Sequence, residues 1–362
     1  MPDDAHTGEI FCCAYSPDGT AVLSAGWDGH LRLWDAGSGA AQATVKVGPK
    51  PLSCCAFSPD GKLWLAGSMD GVLSYWDAAR FAKSTEFMAH TRPVSAIVYS
   101  PGGQHLVTAS WDRALRLRRA GKEREGTNLV GHQDIVAGCA FTSDARRLVS
   151  WSHDGTLRVW DLDFGTEVCC LAGHDDRVTA GAVSPDGRWA VSGGRDRLLK
   201  LWDLHQGAEV GSWPQDAEVR CCFFLLDGAA FVSVDAEGRL TLLRAPEFNL
   251  QAELRTRLKV MCGGLSPSGS QVALGCEDGH VRFVALEDVE QGSLMVTATQ
   301  WMKEERSILG RLLGRTRMVP TFQYACPVCR HVVESPRLPS EDFACTSCQR
   351  SLRITAQIAQ PV

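Results

Sequence analysis

Seven short segments of one pattern recur along the chain at almost constant spacing: LRLWD at 31–35, LSYWD at 73–77, LRLRR at 115–119, LRVWD at 157–161, LKLWD at 199–203, LTLLR at 240–244 and VRFVA at 281–285. Their fourth residues, Trp34, Trp76, Arg118, Trp160, Trp202, Leu243 and Val284, follow one another in steps of 42, 42, 42, 42, 41 and 41. Self-similarity at such a period marks an array of supersecondary units that cover one another's apolar faces. A chain of 362 residues could hold two or three ordinary domains, but the even period assigns most of it to one repeat body.

Inside each unit the apolar period is two, as a strand with unlike faces requires. In the first unit Phe11, Cys13 and Tyr15 fall on one side, and Ile10, Cys12 and Ala14 on the other. A turn follows, written SPDG at 16–19, 58–61 and 184–187, where Pro presets one backbone angle and Gly supplies the other. Next come a second strand, an Asp-Gly turn at Asp28 and Gly29, and a third strand ending at Trp34; the fourth strand is short and weakly marked. Sheets of four antiparallel strands, repeated seven times, bury both faces only by stacking around an axis, so the pattern predicts an all-β propeller.

The GH pairs at 131–132 and 173–174, the SPDG turns and the WD pairs that close third strands stand in register, and in this the chain resembles the WD-repeat β-propeller family. The resemblance implies a seven-bladed β-propeller of four-stranded antiparallel blades over residues 1–301. Members of that family usually close the ring by lending an N-terminal strand to the last blade. Here the first strand is reached by Ile10, so residues 294–301 are expected to form the seventh blade's own outer strand, with closure resting on side-chain packing.

Four residue types recur at fixed offsets. His6, Ser24, Asp28 and Trp34 form one set, His132, Ser150, Asp154 and Trp160 a second, and His174, Ser192, Asp196 and Trp202 a third; His and Asp are 22 apart, Asp and Trp 6 apart. Ser, His and Asp are the parts of a hydrolytic triad. An active site is needed once, whereas equivalent copies in several units argue for a structural device, and no enzymatic activity is expected. The family resemblance implies a buried hydrogen-bonded tetrad at these positions. The third unit keeps His90, Thr108 and Asp112 but has Arg118 for Trp; other units have Ala66 for Ser, Glu237 for Asp and Leu274 for Ser.

The fifteen cysteines fall into two classes. In the repeats, Cys12, Cys13, Cys54, Cys55, Cys139, Cys221, Cys222 and Cys262 share two places where other units have Ala, Gly or Ile, and read as small core residues, while Cys169, Cys170 and Cys276 sit elsewhere in the repeats with no metal-like partner. Cys326 and Cys329 (CPVC) are separated by fifteen residues from Cys345 and Cys348 (CTSC), which is the spacing of a four-thiolate zinc site. Four sulfurs close a tetrahedral shell, so one structural zinc ion is expected and His331 stays outside it. The segment resembles zinc ribbons, although Arg330 and Gln349 stand where that family often has Gly. The expected division is a propeller at 1–301, a linker at 302–319 able to form a short basic helix, and a zinc ribbon at 320–362.

In the family resembled, the residue before the turn Asp tends to lie on the narrower face of the ring. Here these are Trp27, Met69, Trp111, His153, Arg195, Ala236 and Glu277, so three successive blades would offer Trp, Met and Trp, types enriched at protein interfaces. Phe11, Arg220 and Met261 would extend the patch. The expected function is a non-catalytic scaffold or adaptor subunit of a multiprotein assembly, with other proteins bound on this face. The alternative is a nucleic-acid-associated subunit using residues 303–362. A net charge of -5 argues against a surface that coats nucleic acid throughout. Neither a membrane span nor a small-molecule substrate is expected, and the non-secretory MPDDAH start leads to an expected cytoplasmic location.

Overall fold

A computed structural model describes residues 5–122 and 124–286, and beyond them the backbone of six short strands. Each repeat folds as the turn chemistry dictates. In the first, the Ser16 hydroxyl donates to Asp18 at 2.6 Å and accepts the amide of Ala21 at 2.9 Å, which fixes the hairpin between Ile10–Tyr15 and Ala21–Gly26. Gly29, at φ 72°, then turns the chain into His30–Asp35, because that left-handed backbone strains any residue with a Cβ. The fourth strand, Ala41–Lys46, lies on the sheet's outer edge and is mostly exposed.

Six antiparallel sheets have four strands each, in chain order, and occupy residues 10–46, 52–88, 94–130, 136–172, 178–214 and 219–255. A seventh, at 260–285, has three strands among the described residues. First strands of consecutive sheets lie side by side all the way round, and that of the seventh lies against that of the first, so the seven blades close a ring.

The apolar residues collect into seven clusters, one between each pair of neighbouring blades. Between blades one and two, Leu23 and Leu31 of one sheet meet Leu52, Cys55 and Trp64 of the next, all buried. At roughly 1.5–3 kcal/mol per buried large aliphatic side chain, these seams hold the ring. The seam between blades seven and one packs Ile10, Cys13 and Trp34 against Cys262, Ala273 and Phe283. Polar ties there include the Tyr15 hydroxyl to Gln271 Oε1 at 2.8 Å, Gln271 Nε2 to the Ala36 carbonyl at 3.3 Å and the His6 amide to the Gly279 carbonyl at 2.9 Å. Among the described residues no N-terminal strand joins blade seven.

The chain beyond the ring differs from expectation in two respects. Residues 294–301 do not add a fourth strand to blade seven: Leu294–Val296 pairs with Ser351–Ile354 in parallel, and Thr299–Glu305 pairs with Arg317–Ala325. The second ladder has seven residue pairs, so Thr299–Glu305 finds its backbone partner in the C-terminal segment rather than in the blade. The last described strand of the ring therefore ends at Ala285 rather than near 301. The same ladder takes both ends of the expected 302–319 linker, which are extended rather than helical; residues 306–316 lie outside those described. Gly310 and Gly314, costly within a helix, fall in that interval.

Candidate interaction face

The tetrads form as hydrogen-bonded rows. In blade one, the Trp34 indole N–H donates to Ser24 Oγ at 2.8 Å, Ser24 lies 2.8 Å from His6 Nε2, and His6 Nδ1 lies 2.8 Å from Asp28. Blades four and five repeat this through Trp160, Ser150, His132 and Asp154, and through Trp202, Ser192, His174 and Asp196, every separation between 2.7 and 2.9 Å. Proton accounting fixes the tautomer. The indole can only donate, so the Ser proton goes to Nε2 and the remaining imidazole proton, on Nδ1, goes to the carboxylate. A neutral imidazole thus satisfies every group. Burial lowers the pKa of His6 and His174 against the pull of their aspartates, in agreement with that count. Burial also opposes ionisation of Asp28 and Asp154, but hydrogen bonds from the imidazoles and neighbouring amides outweigh it and hold both carboxyls low. The three serines are fully buried, which removes them from any substrate.

Blade three completes its tetrad differently. His90 bridges Thr108 at 2.8 Å and Asp112 at 2.9 Å, and Arg118 Nη1 donates to Thr108 at 2.6 Å in place of an indole. Arg118 is buried over the Phe87 ring, and burial, followed by the nearby Arg116 charge, lowers its pKa to about 10, so it stays cationic at neutral pH. In sequence it reads as a loss; in the fold it is a substitute donor. Blade two has Gly48 in the His place and Ala66 in the Ser place, and its Trp76 indole turns to Ser74, the residue paired with Ala66 across the ladder, at 3.1 Å. In blade six Gln215 occupies the His place. There Gln215 Nε2, Ser233 Oγ and Asp235 Oδ2 are buried with no hydrogen-bond partner among the described residues, and burial pushes the Asp235 pKa up.

The residues preceding the turns stand in equivalent places in all seven blades. The amides of Trp27, Met69, Trp111, His153, Arg195, Ala236 and Glu277 each donate to a carbonyl just before the blade's first strand, at 2.8–3.0 Å. Trp27 is 58% exposed and Trp111 39%, whereas Met69 is half-buried. Phe11 meets Trp27 with ring centroids 6.0 Å apart, giving one continuous aromatic surface. His153 is half-buried and burial lowers its pKa; Arg195 is exposed.

Phe11, Arg220 and Met261 share a further feature that simple alternation conceals. Every first strand carries a β-bulge near its start, between Ile10 and Cys12 in blade one and at matching places in the others. The bulged residue leaves the period-two pattern. In blades two, three and five it is Ser53, Ser95 or Thr179, whose hydroxyl bonds the carbonyl of Val94, Val136 or Val219 in the next blade. Phe11, Arg220 and Met261 occupy this place in blades one, six and seven, all half-buried at the same edge of the ring. The cysteines expected to bind zinc lie outside the described residues, as do their side-chain surroundings. Among the described residues no cluster of His, Cys, Asp or Glu could hold a metal, and no helix is long and apolar enough to cross a membrane.

The family profile described as WD domain, G-beta repeat, matches residues 3–35, 42–77, 82–118, 123–161 and 165–203. Each of these five repeats keeps the turn Asp, and four of them end on a WD pair; blades six and seven, with Leu243 and Val284 in the Trp place, are not matched. A search of the curated proteins gives no match. The matched repeats span half of the chain, and each supplies the first three strands of one of five blades of the closed ring, four of them with the outer strand of the blade before, so the chain belongs to the WD-repeat family of β-propellers.

Proposed function

We propose that the chain is a non-catalytic scaffold or adaptor that holds other proteins on the ring edge carrying Phe11, Trp27, Met69 and Trp111. Propellers of this family generally act as protein-interaction scaffolds. The observation that carries the reading is the pair of exposed indoles, Trp27 and Trp111, presented from backbone positions that the repeat holds rigid. Exposed tryptophans cost solvation in the free protein and are frequent anchors of interfaces. Arg195, Arg220, His153 and Met261 would form the polar and adaptable margin. A cytoplasmic location goes with this reading.

The C-terminal segment is read as a zinc ribbon that adds a second contact. Its support is the chemistry of the donors and the backbone around them. Arg317–Ala325 pairs antiparallel with Val332–Ser335, and Phe343–Ala344 with Ser351–Ile354, so each Cys-x2-Cys pair falls in the connection of a hairpin. Cys326, Cys329, Cys345 and Cys348 would hold the ion, which would supply folding free energy to a segment with little core.

The test is affinity capture from the native cell with the parent chain and with Trp27→Ala/Trp111→Ala. The double variant is expected to fold and to lose at least one captured protein. Retention of every partner would place the interface elsewhere.

A further inference from the structure

The place where four blades hold a histidine is, in blade two, an open cleft. His6, His90, His132 and His174 are buried there, but at Gly48 an added Cβ would meet nothing within 4 Å. Gly48 does not have the positive φ that would demand glycine, so the backbone leaves room for a side chain that the sequence does not provide.

A second group is missing beside the first. The residue paired with the tetrad Ser or Thr across the ladder is Arg32, Arg116, Arg158 or Lys200 in blades one, three, four and five, and Ser74 in blade two. Arg32 Nη2 lies 3.7 Å from the turn carboxylate of Asp28, and Lys200 pairs with Glu209 at 2.9 Å. Without the imidazole and the long cation, a cleft of about 350 Å3 opens, walled by Leu52, Val72 and Phe87, with Met88 at 62% exposure on its rim.

The anionic partner remains. Asp70, an exposed residue, lines this cleft; its carboxylate accepts the Ser68 hydroxyl, and among the described residues no Arg, Lys or His stands within ion-pair distance of it. Glu86 and Lys83 both line the other side and neutralise each other at 2.8 Å, which leaves Asp70 as the carboxylate there without an ion pair among the described residues; Lys50 also lines the cleft and is exposed. Compared with its sisters, the site has lost two nitrogen donors and kept its acceptor.

We propose that this cleft receives an arginine side chain from a partner polypeptide, with the guanidinium on Asp70 and the methylene stem along Leu52, Val72 and Phe87. An imidazole suits the site less well. Its Nε2 would meet Ala66 where the sister blades have a hydroxyl, whereas a guanidinium has five N–H donors to divide between Asp70, Ser74 and Glu86. A lysine ammonium is a compact, strongly hydrated charge that gains less from flat apolar walls. That a partner polypeptide supplies the arginine rests on the scaffold reading, since the cleft adjoins Met69 on the proposed interaction edge; the chemistry of the cleft does not depend on it.

The full chain, labelled with 13C at its methionine methyls, is titrated with Nα-acetyl-arginine amide. A saturable shift of the Met88 methyl is expected, with Nα-acetyl-lysine amide about tenfold weaker. Asp70→Asn, which keeps the fold's size and shape, is expected to weaken the arginine amide about tenfold. Gly48→His refills the cleft and is expected to remove the shift while raising the midpoint of thermal unfolding. Absence of a saturable shift, equal binding of the lysine amide, or undiminished binding to Asp70→Asn would each overturn the assignment. Failure of the scaffold reading would show in the capture experiment, and failure of the cleft in the titration.

Discussion

The neutral histidines of the tetrads make the stability of the ring depend on pH at the level of single residues. Protonation of His6 would place a second N–H opposite Ser24, which already accepts the Trp34 indole, and would leave the Ser24 proton without its acceptor. Burial is the main reason that His6, His90 and His174 have pKa values below the ordinary 6.5. Unfolded, they titrate near 6.5; between that pH and their lower folded values the unfolded chain holds more protons, so stability rises with pH there. The denaturant midpoint is therefore expected to fall on going from about pH 7.5 to pH 5.5. In His174→Gln, which copies Gln215 of blade six, that fall should be shallower, and an unchanged slope would refute the assignment. Asp28, Asp112 and Asp154 act in the same direction further down. Their carboxyls are held low despite burial, so their contribution is lost only as the pH drops below the ordinary 3.8 toward the folded values. The recurrence of these residues was legible from their offsets, because they are strictly periodic, and the family resemblance implied that they form hydrogen-bonded rows. The Arg118 donor and Ser74 were not, since each replaces its counterpart through geometry rather than through residue type.

At the scale of strands, legibility follows burial. First, second and third strands announce themselves because they are packed between blades. A fourth strand such as Ala82–Met88 is almost wholly exposed, so solvent imposes no alternation on it. The bulges were concealed for another reason: they change which side one residue faces without altering composition. The pairing of Trp151 with two glycines was also missed, although the glycines occupy places that hold cysteine in several other units. Trp151 is buried, and Cβ atoms added at Gly138 and Gly181 would lie 2.5 and 2.6 Å from its ring. Gly138→Ala should accordingly cost about 1–3 kcal/mol by overpacking. Val234 fills the Trp151 place in blade six beside Cys221, so Trp151→Val is expected to recover part of that loss in the Gly138→Ala background. Additive single effects in chemical denaturation would show that the two sites are not coupled. For the C-terminal hairpins, the expected outcome is one zinc per chain by elemental analysis, lost in Cys326→Ser/Cys345→Ser. A metal-free parent chain prepared without chelator would remove the ribbon from the account.

For the molecule as a whole, closure of the ring depends on seams of unequal strength. Blades one, four and five each have a Trp–Ser–His–Asp row tying the entry loop to the second and third strands, and blade three has its Arg118 version. Blade seven has Leu274 and Val284 in the Ser and Trp places, and blade six buries polar atoms without partners, each at a cost of about 1–3 kcal/mol. The seam from blade seven to blade one includes Cys13, Ala36, Cys262 and Ala273, small side chains that bury less area than the leucines between blades one and two. As at the other seams, no strand crosses it among the described residues, so separating the two blades breaks side-chain contacts and a few single hydrogen bonds rather than a ladder. A closed ring must open somewhere first, and these terms place the opening there. Native-state hydrogen exchange should then show Gln271–Cys276 of blade seven and Ala230–Asp235 of blade six exchanging through sub-global opening at lower denaturant than Arg147–Ser152 of blade four and Trp189–Gly194 of blade five. Equal protection of all four strands would mean that the ring unfolds as one cooperative unit. In that case the tetrads would act on global stability alone, with no bearing on where the molecule first comes apart.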